Sequence, residues 1–196
     1  MKPTLLFSEA RAALVLLPLL LVGCTASTAP PATHISTTIR AINQGQVIDG
    51  VPCLTQDLPV HHIHVHLQIL ADGVPITVPA GIGVGRPWGV DATGFIATGT
   101  CFAWIHTHDT TGVVHIVTPE EGSFTLNQLF EIWGQPLGKG SAMGYLGPVV
   151  VFVNGKPFNA DPREVRLANL ENIALELGRP PASPAPATYD FGTMTR

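Results

Sequence analysis

Seven of the eight histidines in this 196-residue chain fall within two short windows. The first reads His61-His62-Ile63-His64-Val65-His66-Leu67-Gln68-Ile69, the second Trp104-Ile105-His106-Thr107-His108-Asp109-Thr110-Thr111-Gly112-Val113-Val114-His115-Ile116. Neutral imidazole is a ligand for zinc, copper, nickel and iron, and it takes up a proton near pH 6.5. Histidines at i and i+2 on one strand, joined by a third on the neighbouring strand, present three nitrogens to one ion and leave a position open for water or substrate. The candidate ligands are His62, His64, His66, His106, His108 and His115. Asp109 reads as a turn former whose side chain bonds nearby backbone; its functional alternative is an acceptor for a ligand imidazole N–H. His61 falls on the opposite face of its strand and is not counted as a ligand.

This chemistry requires strands to hold the rings. In an extended first window, His62, His64, His66 and Gln68 line one face while Ile63, Val65, Leu67 and Ile69 line the other. A one-residue slip would drive three imidazoles into the core. Asp109-Thr110-Thr111-Gly112 is a turn between two apolar stretches. With a two-residue loop, Asp109 faces Gly112, His108 faces Val113, and His106 faces His115 across the ladder. A bulge at Gly112 would shift that pairing by one. Trp104 either walls the site or packs in the core beside it, and Glu120 and Glu121 read as solvated loop charges.

The surrounding elements are mostly strands. Asp72-Gly73 and Asn154-Gly155 are hairpin corners, following His62–Leu70 and Pro148–Val153. Val165–Leu167 and Ile173–Leu177 read as a last pair of strands. One helix is marked by Thr125 as N-cap, Gln128 as its capping-box partner, Phe124 as a staple onto Leu129, and Gly134 with Pro136 as its end. Its stripe of Leu126, Leu129, Phe130 and Trp133 reads as core packing. The expected fold is α+β: a mainly antiparallel β-sheet built from hairpins, with one short covering helix.

The N-terminus carries Lys2 and Arg11, then the apolar run Ala12–Val22, which is too short for a bilayer span and suited to a signal h-region. The following Leu21-Val22-Gly23-Cys24 resembles a bacterial lipobox. That resemblance implies a leader over residues 1–23 and acylation of Cys24, by chains such as palmitate, as the new first residue. Thr25 is not the aspartate that retains such proteins at the inner membrane, so the outer membrane is favoured where there is one. Residues 24–34 form a flexible tether, 35–178 the His-rich domain, and 179–196 a disordered Pro/Ala-rich tail. Cys53 and Cys101 remain, an even pair expected to form a disulfide in an oxidising compartment. Without Lys2, Glu9 and Arg11 the chain has 8 basic and 13 acidic residues and a charge of −5. It has no basic run, which argues against a nucleic-acid partner.

His106-x-His108 with a cross-strand His115 is similar to the zinc site of α-type carbonic anhydrases, although the surrounding sequence is not. The cupin pattern lacks its glutamate here. His106-Thr107-His108-Asp109 resembles the metallo-β-lactamase opening, with Thr110 where that motif has a further histidine. A blue-copper site would need a thiolate, and both cysteines are assigned to the disulfide. More broadly, the stretch from Gly50-Val51-Pro52-Cys53 through both histidine windows to Trp133-Gly134-Gln135-Pro136-Leu137 resembles uncharacterised His-rich bacterial secreted proteins and lipoproteins. Three functional classes follow. The leading one is a membrane-anchored extracytoplasmic protein holding copper or zinc; a hydrolase or lyase using metal-bound water is the second; a cell-surface interaction module with free histidines is the third.

Overall fold

The computed structural model describes residues 34–55, 61–178 and 188–194. The leader, Cys24 and all of the tether except His34 lie outside the described residues, as do 179–187. No described helix is long and apolar enough to cross a membrane.

The main sheet has seven strands: β1 (His61–Ala71), β2 (Val74–Ile76), β3 (Ile105–His106), β4 (Val113–Thr118), β5 (Val149–Val153), β6 (Lys156–Phe158) and β7 (Glu171–Leu177). They run in the order β6-β5-β7-β1-β4-β3, with β2 also paired to β1. The alternation in β1 sets its orientation. Ile63, Val65, Leu67 and Ile69 are buried in the core, as are Val114, Ile116 and Ile105 on the neighbouring strands. The helix α1 (Leu126–Trp133) contributes Leu126, Leu129, Phe130 and Trp133 to the same core. Its capping box between Thr125 and Gln128 is formed, and Gly134 closes it in the left-handed region at φ 83°.

Both expected hairpin corners are present. Asp72-Gly73 and Asn154-Gly155 adopt paired positive φ values, 49° with 81° and 50° with 75°. Such corners match the twist of the strands they join, pairing Ala71 with Val74 and Val153 with Lys156. The expected final pair of strands is corrected. Pro162–Glu164 is a 3-10 turn, and Arg166 makes only an isolated bridge to Thr125. Meanwhile β7 inserts between β5 and β1, antiparallel to the first and parallel to the second. Ile173–Leu177 is buried at every residue, and a strand covered on both faces belongs in a sheet's interior.

A smaller three-stranded ladder joins Val47–Ile48, Val51–Leu54 and Phe102–Ala103. Cys53 pairs with Ala103 there and is disulfide-bonded to Cys101, with 5.4 Å between their Cα atoms. The bond lies a few residues upstream of each histidine window. Both half-cystines are fully buried. In the chain-entropy account, closing the 48-residue separation contributes about 4 kcal/mol. The Cys53→Ala/Cys101→Ala protein should therefore lose about 3–4 kcal/mol in urea unfolding. A loss below about 1 kcal/mol would show that the bond is not a main constraint on the unfolded chain.

Candidate metal centre

The strand register assembles the site. His64 pairs with His115 across β1 and β4, and His115 pairs with His106 across β4 and β3. Side chains of paired residues share a face, so three imidazoles form a row across three adjacent strands. Ring centroids are 4.7 Å apart for His64 and His115, and 5.7 Å for His106 and His115. His62, two residues before His64 on the same face, stands 4.4 Å from the His64 ring and brings Nε2 to 3.1 Å from His115 Nδ1.

His62, His64 and His115 each offer a ring nitrogen, all within 4.8 Å of one another. Nitrogens around a tetrahedral ion at about 2.0–2.1 Å would lie about 3.3 Å apart, so modest ring rotation brings the three to one ion. His64 Nδ1 is buried and has no hydrogen-bond partner. Leaving such an atom unpaired costs about 1–3 kcal/mol, which a bond to a metal would remove. This group of three can hold a metal ion.

His108 reaches the cluster by another route than the expected ladder. The β3–β4 pairing ends at His106, and the chain turns at Thr107 to a different partner. Thr107 N–H donates to Ile82 O, its carbonyl accepts from Gly81 N–H, and its hydroxyl donates to Pro79 O while accepting from Ile82 N–H. His108 is therefore not placed opposite Val113 by strand pairing. Its Nε2 nevertheless stands 3.0 Å from His106 Nε2, and its ring 4.6 Å from that of His115. Phe95 stacks on His108 at 4.2 Å, and Phe102 meets His106 edge-on at 5.2 Å.

His66 is drawn away from the others. Gly112 O accepts from Leu67 N–H, which seats the hairpin corner on β1. The fit is close: a Cβ at Gly112, whose φ is 85°, would meet Leu67 O at 2.5 Å and His66 Nε2 at 3.2 Å. His66 Nε2 donates to Thr111 O, and its ring stacks on Tyr189 at 4.4 Å. Tyr189 N–H in turn donates to Asn172 Oδ1, so residues 188–194 are placed where the whole tail was expected to be disordered. The Asp109 carboxylate accepts from the backbone N–H and the hydroxyl of Thr111, as a turn former does. It is not the acceptor for a ligand ring; the His106 and His108 Nδ1 hydrogens go to the carbonyls of Ala103 and Ile96. His61 lies 3.9 Å from the Glu121 carboxylate, outside the cluster. Trp104 packs against the main core and meets Phe124 edge-on. The aromatic wall of Phe95 and Phe102, and the contact with Tyr189, had no signature in residue spacing.

Burial dominates the electrostatics. Desolvation is the largest cause lowering His62, His64, His66, His106, His108 and His115 below the ordinary imidazole value, and His106 is pushed down to about 3. Neighbouring imidazoles add repulsion, with His106, His108, His64 and His62 all acting on His115. Neutral rings at physiological pH keep their lone pairs available for a metal.

No protein-family model matches the chain, and no curated protein and no solved structure is detectably similar to it.

These lowered values fix the sign of the pH dependence. Below about pH 6.5 the unfolded chain binds more protons than the folded one, so stability is full above that pH and falls as the pH drops toward the folded-state values. Thermal melts of chelator-treated protein should show Tm falling steadily from pH 7 to pH 5. A flat Tm over that range would contradict the burial of neutral rings.

Proposed function

We propose that the protein is a lipid-anchored, extracytoplasmic metal-binding protein whose primary site is His62, His64 and His115. The observation that carries the reading is the convergence of three imidazole nitrogens within 4.8 Å, one of them buried and unpartnered. An all-imidazole donor set suits borderline transition metals; in the Irving–Williams series copper binds such ligands most strongly, and zinc, weaker than copper, is also well served by imidazole. Calcium and magnesium prefer oxygen and are poor candidates. The compartment is supported by the lipobox-like leader and by the disulfide, which persists in oxidising surroundings.

Holding a metal is the first reading because three converging imidazoles are a donor set in themselves, whereas turnover would also require a separate general acid or base, a role left here to the other imidazoles of the cluster. The partly exposed edge at His62 and His115 keeps a hydrolase or lyase as the second reading, since water can reach an ion there.

The chain should be expressed with its own leader, extracted in detergent and analysed for metals. The expected result is bound copper or zinc in wild type and at least a tenfold weaker affinity at this site in His64→Ala, with an unchanged far-UV circular dichroism spectrum. A metal-free wild type that takes up neither ion would sink the proposal. Cys24→Ala should move the protein from the membrane to the soluble fraction; continued membrane association would reject the anchor alone.

A further inference from the structure

The His106–His108 pair has a feature that hydrogen-bond geometry alone decides. A backbone carbonyl only accepts. His106 Nδ1 lies 2.7 Å from Ala103 O, and His108 Nδ1 lies 2.6 Å from Ile96 O. Each Nδ1 must therefore carry a hydrogen, which in a neutral imidazole leaves a lone pair on Nε2. Those two Nε2 atoms face each other at 3.0 Å. Two lone pairs in contact repel unless a positive species sits between them, and that species is either a proton or a metal ion.

The surroundings disfavour the proton. His106 is fully buried and His108 nearly so. The rings around them are the uncharged faces of Phe95 and Phe102 and the further imidazole of His115. An imidazolium here would lose its hydration with no hydrogen-bonded carboxylate in exchange.

The same geometry suits a metal. Histidine ligands are ordinarily oriented by a hydrogen bond from the ring's other nitrogen, here supplied twice by backbone carbonyls. At a metal–nitrogen distance of about 2.0–2.1 Å, nitrogens 3.0 Å apart subtend about 90–95° at the ion, a normal angle for adjacent ligands. The pair is also held stiffly, by the β3–β4 ladder at His106, the four hydrogen bonds of Thr107 and the ring of Phe95 stacked on His108. It needs no rotation to reach ligating distance, unlike the group of three.

We infer that His106 and His108 form a second metal subsite, chelating a copper or zinc ion through their two Nε2 atoms, so that the loaded chain carries two ions. The subsite itself stands on the tautomers of the pair, while the count of two ions rests also on the proposed group of His62, His64 and His115. The ring of His115, in contact with both His64 and His108, separates the two subsites.

The test is a titration of chelator-stripped full chain with Zn(II) and, separately, Cu(II), reading stoichiometry by calorimetry and by elemental analysis after desalting. Wild type should bind two ions of at least one of these metals, His108→Ala one, and His64→Ala one. Because His108 lies at the cluster's rim, His108→Asn serves as a second variant should the alanine protein fail to fold. Two ions retained in a folded His108 variant would overturn the second subsite. So would a single ion in wild type that His64→Ala and His108→Ala each abolish, which would mark one joint site. Two ions retained in His64→Ala would instead count against the group of three and leave this pair intact. A wild-type protein that binds neither metal, with a proton shared between the two Nε2 atoms detected by nitrogen NMR, would overturn both.

Discussion

Five imidazoles are packed within ring-contact distance, four on one face of a sheet and His108 just beyond the end of its strand, and among the described residues none is hydrogen-bonded to a carboxylate. Such a cluster is compatible with burial only if its members are neutral, because each added positive charge is both desolvated and repelled by its neighbours. Neutrality then has a chemical consequence. Each neutral ring has one nitrogen with a hydrogen and one with a lone pair, and in this arrangement the rings do not satisfy all of these by pairing with one another. His64 Nδ1 is left unpartnered and the two Nε2 atoms of His106 and His108 confront each other. These are complementary faults that the same kind of ligand, a transition-metal cation, would resolve.

The scaffold maintains this arrangement because its alternatives are worse. Shifting β1 by one residue would expose Ile63, Val65, Leu67 and Ile69 and place the imidazoles against the apolar core. The parallel pairing with β7 resists that slip on one side of β1, and the antiparallel pairing with β4 resists it on the other. Beyond the sheet, the Cys53–Cys101 bond anchors the segment that leads into β3. The group of His62, His64 and His115 is thus carried by two interior strands and not by a loop, as is expected where ligand geometry must be held to a fraction of an ångström.

Much of this was legible in residue spacing. Period-two alternation in His61–Ile69 gave the face of each histidine, the Asp72-Gly73 and Asn154-Gly155 corners gave two hairpins, and Thr125 with Gln128 gave the start of the helix. The pairing of His106 with His115 also follows from the turn at Asp109–Gly112. What spacing could not show depends on contacts between distant segments. The parallel entry of β7 beside β1 is a tertiary choice, foreshadowed only by the apolar residues of Ile173–Leu177, a run that Glu176 interrupts. The departure at Thr107 comes from its bonds to residues 79–82, and no local pattern encodes it. The separation of His66 reflects the close approach of Gly112 to Leu67 O, which only a residue without a Cβ permits.

The two groups of nitrogens differ in stiffness, and that difference bears on what the cluster does with an ion. The pair at His106 and His108 is fully formed, aromatic-walled and buried, features that favour retention. The group at His62, His64 and His115 is wider, partly exposed and must contract to bind, which favours exchange with solvent. His115 touches both, so an ion arriving at the open group lies one ring away from the closed one. On the reading proposed above, a gradient from exposed and adaptable to buried and fixed would suit a protein that captures a metal at its surface and keeps it.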